Sequence, residues 1–157
     1  RCFVEVWEPG SRAVDATLDA RNAHPVLEFD AAVDESADFG SILPRNYAGG
    51  GITATLVWLG DTAITGTVRW DAAFERHQDD IDDLDTDLFA AIQSVTATVA
   101  SASGEPAYDT IAFTNAQIDG LLVGESFRLR VTRDANHATD DTMAGDAQLL
   151  RVELRET

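Results

Sequence analysis

Closely spaced aspartates are the side chains of this sequence that most resemble a metal site. Asp83, Asp85 and Asp87 form the pattern D-x-D-x-D, which places carboxylates as at the start of a calcium-binding EF-hand loop. The match then fails, because Leu88 stands where the loop needs glycine and Ser94 where it needs glutamate. The three aspartates are therefore candidate ligands of a different calcium site, with a metal-free acidic loop as the alternative.

A second acidic group follows a predicted strand and contains Asp134, Asn136, Asp140 and Asp141. It could supply oxygen ligands to a cation. We expect a solvated turn instead, because Asp and Asn side chains readily bond to their own backbone. No cofactor is predicted.

The nucleophilic side chains do not form a recognisable catalytic motif. His24, His77 and His137 lie far apart, without metal-ligand spacing. Ser126 could join one histidine and an aspartate in a triad, but with 28 acidic residues such a match has little value. Its surroundings, GESFR, lack the second glycine of a nucleophile elbow. Cys2 lies in a predicted strand and is interpreted as a small buried side chain, so no enzyme activity is predicted.

Two further groups are candidates for contacts with a partner. Tyr47 precedes the glycine run 49–51 and could stack on a sugar, or could pack beneath its own loop. The chain has no lysine, so the glycine run is interpreted as a turn or bulge rather than a phosphate loop. Arg128, Arg130 and Arg133 are placed on one strand face, where they could pair with a neighbouring subunit or within the chain.

These side chains must be positioned by strands, because apolar residues recur at every second position through most of the chain. The predicted strands are 2–7, 25–30, 35–43, 52–59, 67–75, 94–100, 108–114, 125–133 and 147–155. Residues 60–61 could turn a hairpin, or 60–66 could form a longer loop. Across such a hairpin Trp58 and Trp70 could lie close together.

One segment interrupts this alternation. Ile81, Leu84 and Leu88 have helical spacing, so residues 77–93 could form two helical turns or an acidic loop with a few apolar anchors.

Composition restricts the class of protein. The chain has 157 residues, which suits one domain, and 45% hydrophobic content. Its net charge of −17 disfavours nucleic acid and anionic membranes as partners, and no apolar run reaches the ~18 residues of a membrane helix. We predict an all-β fold, a jelly-roll-like antiparallel β-sandwich of about eight strands with little helix. Residues 1–24 are interpreted as an N-terminal strand and arm, for docking or subunit exchange, and residues 25–157 as the sandwich.

Three segments resemble a group of tailed-phage and prophage virion proteins. They are LEFDAAVDESADFGSILPRNYAGGGITATLVW, TGTVRWDAAFE and FRLRVTRDANHATDDTMAGDAQLLRVEL. The likeness covers roughly residues 27–156 and contains no catalytic motif.

The resemblance implies a virion structural β-domain that is often oligomeric. The expected function is that of a capsid decoration (cement) protein on the outer surface of the head, with the major capsid protein as partner. Copies meeting around a threefold axis of the shell would form a homotrimer. The alternative is a tail-fibre or receptor-binding β-module that recognises host-surface glycan.

Overall fold

A computed structural model of the protein describes residues 15–157, together with the backbone of two short strands before them. The described part consists of strands and loops, with one short 3₁₀ turn at Asn115–Gln117. None of its helical segments could cross a membrane. The strands are β1 Cys2–Phe3, β2 Val6–Glu8, β3 Thr17–Arg21, β4 His24–Phe29, β5 Glu35–Ile42, β6 Ile52–Gly60, β7 Thr67–His77, β8 Gln93–Thr98, β9 Ala107–Phe113, β10 Ser126–Arg133 and β11 Ala147–Glu156.

The strands form two antiparallel sheets that pack face to face. Sheet I has the order β3-β4-β11-β6-β9, with β1 also paired to β11, and sheet II has the order β2-β5-β10-β7-β8. If the eight strands from β4 to β11 are numbered 1 to 8 in chain order, sheet I has the spatial order 1-8-3-6 and sheet II has the order 2-7-4-5. This is the jelly-roll arrangement, so the predicted fold class is confirmed.

The N-terminal segment differs from the prediction. Residues 2–7 were expected to form one strand, but β1 pairs with sheet I and β2 with sheet II. Residues 11–24 were expected to be an arm or loop, but β3 hydrogen-bonds to β4 as an edge strand. Alternation is hard to detect in β3 because most of its side chains are exposed. Exchange of the segment between subunits stays a prediction.

Strands β6 and β7 do not form a hairpin. They lie in opposite sheets, and the loop 61–66 carries the chain from one sheet to the other. Trp58 and Trp70 still meet, but across the core rather than along a strand pair: their ring centroids are 5.8 Å apart in an edge arrangement. Phe29 packs on Trp70 in the same way at 5.0 Å, and such aromatic pairs stabilise a core by about 0.5–1.5 kcal/mol beyond area burial.

Residues 78–92 form an acidic loop without a helix; two single turns are closed by hydrogen bonds from Asp82 N to Gln78 O and from Asp87 N to Asp83 O. Ile81, Leu84 and Leu88 do not anchor it, because their exposed fractions are 68%, 57% and 78%. The contacts are made instead by Phe89, whose ring lies under two arginines of sheet II, and by Ala90, whose amide donates to Phe74 O at 2.8 Å. The helical spacing was misleading because the apolar residues point away from the sheet.

Candidate functional site

The outer surface of sheet I contains an apolar strip. Strand pairing places Val57 and Leu59 of β6 on this surface, with Tyr108 beside Val57 and Arg151 on its other side. Val26 of β4 also faces outward. We call this surface the cleft face; its outward residues are Arg21, His24, Val26, Glu28, Thr53, Thr55, Val57, Leu59, Tyr108, Thr110, Gln148, Leu150, Arg151, Glu153 and Arg155.

A cleft of about 340 Å³ lies at one end of this face. Val26 and Leu59 are buried and form its floor together with Leu150. The turn at Asn22 and the β8–β9 loop around Pro106 also line the cleft. An apolar floor with a few polar groups around it is the usual composition of a small-ligand site.

A network of polar side chains fixes the walls of the cleft. Arg21 crosses the sheet and donates to Asp61 O at 2.8 Å, to Gln148 Oε1 at 3.0 Å and to Ser103 Oγ at 3.2 Å. The buried amide of Gln148 donates in turn to Glu28 at 3.0 Å and to Asp61 at 3.2 Å. Two loops and three strands are thereby tied together, so the cleft has a preformed shape.

Glu28 has a raised pKa in this network. The hydrogen bond from Gln148 lowers the pKa, but burial and the charges of Asp146, Asp61 and Asp19 outweigh it. Glu28 and Asp61 thus accept hydrogen bonds from Gln148 within the protein.

Tyr108 lies beside the cleft, on the strand that pairs with Val57. Its exposed fraction is 68%, the highest of any aromatic side chain within residues 15–157. Pro106 precedes it by two residues, so the ring continues the apolar strip that leaves the cleft. Exposed aromatic rings present a flat, apolar surface with a polar tip.

Sequence reasoning missed Tyr108, although the signal was present. In β9 the inward positions are Asp109, Ile111 and Phe113, so Tyr108 must point outward. The inward Asp109 obscured this alternation. Its carboxylate accepts a hydrogen bond from the indole of Trp58 at 2.8 Å, which satisfies a polar group at the edge of the core.

Tyr47, the sugar-contact candidate, packs beneath its own loop. Its hydroxyl accepts from the Gly51 amide at 3.0 Å and donates to Asn115 Oδ1 at 2.9 Å. Gly51 has a φ of +98°, and a Cβ there would lie 2.5 Å from Phe113 O. The glycine run thus allows a close backbone approach, and the tyrosine stabilises it.

Arg128 and Arg130 find their partners within the chain. Arg130 Nε donates to Asp38 at 2.8 Å, and Arg128 binds both Asp38 and Glu75. The ring of Phe89 lies 4.8 Å and 4.1 Å from the two guanidinium groups. We call this outer surface of sheet II the arginine face, and pairing with a neighbouring subunit stays a prediction there.

Arg133 does not lie on the arginine face. It lies three positions after Arg130, an odd offset in a strand, so it points into the interior, where it is fully buried. It makes a two-bond contact with Asp141 at 2.9 and 2.8 Å and donates to the carbonyls of Gly145 and Met143. Its placement with Arg128 and Arg130 was wrong, and it holds the loop 134–146 in place.

Asp83, Asp85 and Asp87 do not converge on one point. Asp83 Oδ1 accepts from the amide of Asp85 at 3.1 Å, and Asp87 Oδ1 accepts from the amide of Leu88 at 2.9 Å. Within the described residues no three His, Cys, Asp or Glu side chains are grouped so that they could hold a metal.

The second acidic group is divided: Asp134 and Asp140 lie at Arg69 together with Asp71, Asp141 pairs with Arg133, and Asn136 donates to Asp34. Asp140, Asp71 and Asp134 lie 2.9, 3.1 and 3.4 Å from the guanidinium of Arg69. Burial raises the pKa of Asp134, and the charges of Asp34 and Asp71 raise it further. The pKa of Asp140 is lowered, because hydrogen bonds from Thr139 and Arg69 outweigh its slight desolvation.

One arrangement on sheet II has the composition of a catalytic triad. His77 Nδ1 lies 3.1 Å from Ser126 Oγ, and His77 Nε2 lies 3.8 Å from Glu75 Oε1. The second distance is too long for a hydrogen bond, and the other carboxylate oxygen of Glu75 already binds Arg128. Ser126 lies in a strand paired on both sides, so its backbone amides are used by the sheet and do not form an oxyanion hole.

Comparisons with known proteins show only distant likeness in fold. No protein-family model matches the chain, and no curated protein does. Among solved structures it is similar to TmCBM61 in complex with β-1,4-galactotriose, with 11% identity, TM-score 0.45 and coverage of 96% of this chain and 88% of the other. It is also similar to a family 30 carbohydrate-binding module, with 8% identity, TM-score 0.46 and coverage of 100% and 95%.

A third similarity is to an arabinose-bound α-L-arabinofuranosidase, MgGH51, with 12% identity and TM-score 0.44. The match covers 94% of this chain but 22% of that one. At these scores, none of the three likenesses says what this chain binds.

Proposed function

We propose that this protein is a non-catalytic binding module that recognises glycan through its cleft face. The observation that carries the proposal is the exposed ring of Tyr108 beside a preformed apolar cleft. Sugar rings have apolar faces that stack on flat aromatic surfaces, while their hydroxyls need donors and acceptors. The cleft face offers both, because Arg151, Thr55 and Thr110 surround the apolar strip.

The resemblance of residues 27–156 to virion proteins supports a location for this activity. A glycan-binding β-module on a phage tail fibre or at another exposed position of the particle would contact the host surface. The strongly acidic surface fits such a location, because it disfavours attachment to nucleic acid.

The test is binding of the purified chain to an array of bacterial and plant glycans, with affinities then measured by calorimetry. Tyr108→Ala should weaken binding by about tenfold or more, since the stacking surface is lost. Tyr108→Phe keeps the ring and should bind within about threefold of the original protein.

Leu88→Ala is the matched surface control, because Leu88 is 78% exposed and lies on the acidic loop over sheet II. An array without signal, or affinity unchanged in Tyr108→Ala, would contradict the proposal.

A second candidate function is capsid decoration, with the major capsid protein as partner and a homotrimer as the assembled form. The observation that favours it is a row of exposed aliphatic side chains on the acidic loop, since such patches mark protein contacts. The row consists of Ile81, Leu84, Leu88 and Ile92, each more than half exposed.

The copy number of the chain in purified virions separates the two functions. A simple ratio to the major capsid protein, found by quantitative mass spectrometry, would favour decoration, and a few copies would favour a fibre. In the decoration case, Leu84→Ser with Leu88→Ser should abolish attachment to shells without loss of folding. Absence from virions would exclude both placements.

A further inference from the structure

We infer that the glycan bound at the cleft face carries carboxylate groups, and that Arg151 binds one of them while a neighbouring sugar ring stacks on Tyr108. The inference rests on the proposed glycan-binding function and names the chemical class of its ligand.

The first reason is the use of arginine in this chain. Carboxylates outnumber cationic side chains by 28 to 11, so an arginine readily finds an acidic partner. Six described arginines have a carboxylate within 4.0 Å: Arg21, Arg69, Arg76, Arg128, Arg130 and Arg133. Arg151 has none among the described residues, and its guanidinium donates to the neighbouring carbonyl of Leu150 at 2.7 Å.

The second reason is the position of Arg151. It is exposed, and it shares a row of the cleft face with Val57 and Tyr108. Neighbouring strands lie about 4.8 Å apart, so two strand spacings place Tyr108 about 10 Å from Arg151. A ligand of at least two linked sugars could contact both residues with its apolar ring over Val57.

The third reason is chemical. A guanidinium group presents N–H donors in a planar fork that matches a carboxylate, and such bonds are stronger than bonds to neutral hydroxyls. Within residues 15–157 the guanidinium of Arg151 forms no ion pair, and its one hydrogen bond to Leu150 O leaves further N–H donors for a carboxylate.

The net charge of −17 does not exclude an acidic ligand. At physiological ionic strength the Debye length is about 8 Å, so charges beyond the binding face are largely screened. The carboxylates of Glu28 and Asp61 at the cleft itself accept hydrogen bonds from Gln148.

The test compares each acidic polymer with its own carboxyl-reduced form. Polygalacturonate, alginate and hyaluronan are titrated by calorimetry at about 0.15 M salt, each before and after reduction of its carboxylates to alcohols. Reduction leaves the sugar rings in place and removes only the charge. We expect binding of at least one acidic polymer, with affinity at least about tenfold lower after reduction.

The variants assign the effect to one residue. Arg151→Gln should lower affinity for the acidic polymer by about tenfold and leave affinity for the reduced polymer unchanged. Arg155→Gln is the matched control, because Arg155 is exposed on the same face of the same strand, four residues further on. The affinity of Arg155→Gln for the acidic polymer should stay within about twofold of that of the original protein.

The outcomes separate this inference from the proposed function. Equal binding of acidic and reduced polymers, with Tyr108→Ala inactive and Arg151→Gln unaffected, overturns the acidic ligand and leaves glycan binding intact. An equal loss in Arg151→Gln and Arg155→Gln also overturns it, because the effect would then be general charge. Failure of both forms to bind, together with an empty array, overturns the proposed function as well.

Discussion

The inner strands β10 and β11 occupy corresponding places in the two sheets, and both carry arginines at alternating positions. In β10 the side chains of Arg128, Arg130 and Arg133 are all neutralised by carboxylates of the same chain. In β11 the exposed Arg151 and Arg155 form no such pair within the described residues. The same residue type therefore stabilises the protein on one strand and remains available to a ligand on the other.

The difference comes from what the neighbouring strands present. Beside β10, the strands β5 and β7 place Asp38 and Glu75 opposite the arginines. Beside β11, strand β6 presents Val57, Thr55 and Thr53. A cross-strand pair forms only when both strands supply opposite charges, and β6 supplies none.

The largest effect is expected for Arg133, the arginine of β10 that points inward. Asp141→Ala would leave its buried guanidinium without a counterion, and breaking a buried pair costs about 3–5 kcal/mol. The free energy of unfolding, measured in denaturant, should fall by that amount. Asp140→Ala is the neighbouring control: Asp140 pairs with Arg69 near the surface, where solvent screens the charges, so the loss should be much smaller than in Asp141→Ala. Equal losses would show that Arg133 does not depend on its buried partner.

The next effect compares the outward arginines directly. Arg128→Gln leaves Glu75 buried beside a neutral side chain, and loss of a charged hydrogen bond costs about 1.5–3 kcal/mol. Arg151→Gln should change stability by less than about 0.5 kcal/mol, as expected for an exposed side chain without partners. Thermal and denaturant unfolding of the two variants measure this difference, and similar losses would remove the contrast between the strands.

The sequence predicts which side chains form the core better than it predicts how the outer surfaces and the loops are arranged. Alternation in β6, β7 and β10 locates the core because the outward residues there are mostly polar. It fails at β3, where side chains on both faces are mostly exposed, and at the loop 78–92, where helical spacing is coincidental. The sequence also does not predict that the chain crosses from one sheet to the other between β6 and β7. An alternating pattern identifies a strand but does not say which sheet that strand joins.

The candidate site was harder to predict than the core. Tyr108 can be assigned to the outer surface only if the neighbouring Asp109 is assigned to the inner one. The partner that satisfies Asp109 there is the indole of Trp58, which lies 51 positions earlier in the chain. The arginines of β10 are clustered in the sequence and could therefore be recognised as a group. Their partners Asp38 and Glu75 lie far away in the chain and could not be assigned to them. Which arginines are left unpaired is a property of the sheet and cannot be seen in one strand.

A smaller effect tests how the arginine face is covered. Phe89→Ala removes the ring that lies under Arg128 and Arg130, and each exposed cation–π contact contributes about 0.5–1 kcal/mol. Stability should fall by about 1–2 kcal/mol, and hydrogen exchange at the Ala90 amide should accelerate as the loop loosens. Leu88→Ala, next to it but 78% exposed, should alter neither quantity. Unchanged exchange in Phe89→Ala would mean that the loop is held by its backbone alone.

The smallest expected effect is a change in stability with pH. The folded state should become slightly more stable as the pH begins to fall, whereas ordinary acid denaturation makes it less stable. Burial raises the pKa of Glu35, with the charges of Asp30 and Asp146 acting in the same direction, and the pKa values of Glu28 and Asp134 are raised as well. A carboxyl whose folded pKa exceeds its unfolded value destabilises the folded state while it is ionised, so this cost is relieved as pH falls through the folded pKa. Asp140, with its lowered pKa, acts in the opposite direction and loses its contribution only at lower pH.

We therefore expect the melting temperature to rise slightly as the pH falls from neutral toward the folded pKa values of these groups, before the ordinary carboxyl groups protonate near about pH 4. Relief of the net charge of −17 acts in the same direction. Glu35→Gln tests the local cause, because it removes a group with a raised pKa while changing the net charge only from −17 to −16. A smaller rise in this variant supports the local origin. A melting temperature that falls steadily from pH 7 would show that the carboxyl groups with raised pKa do not govern the pH dependence of stability.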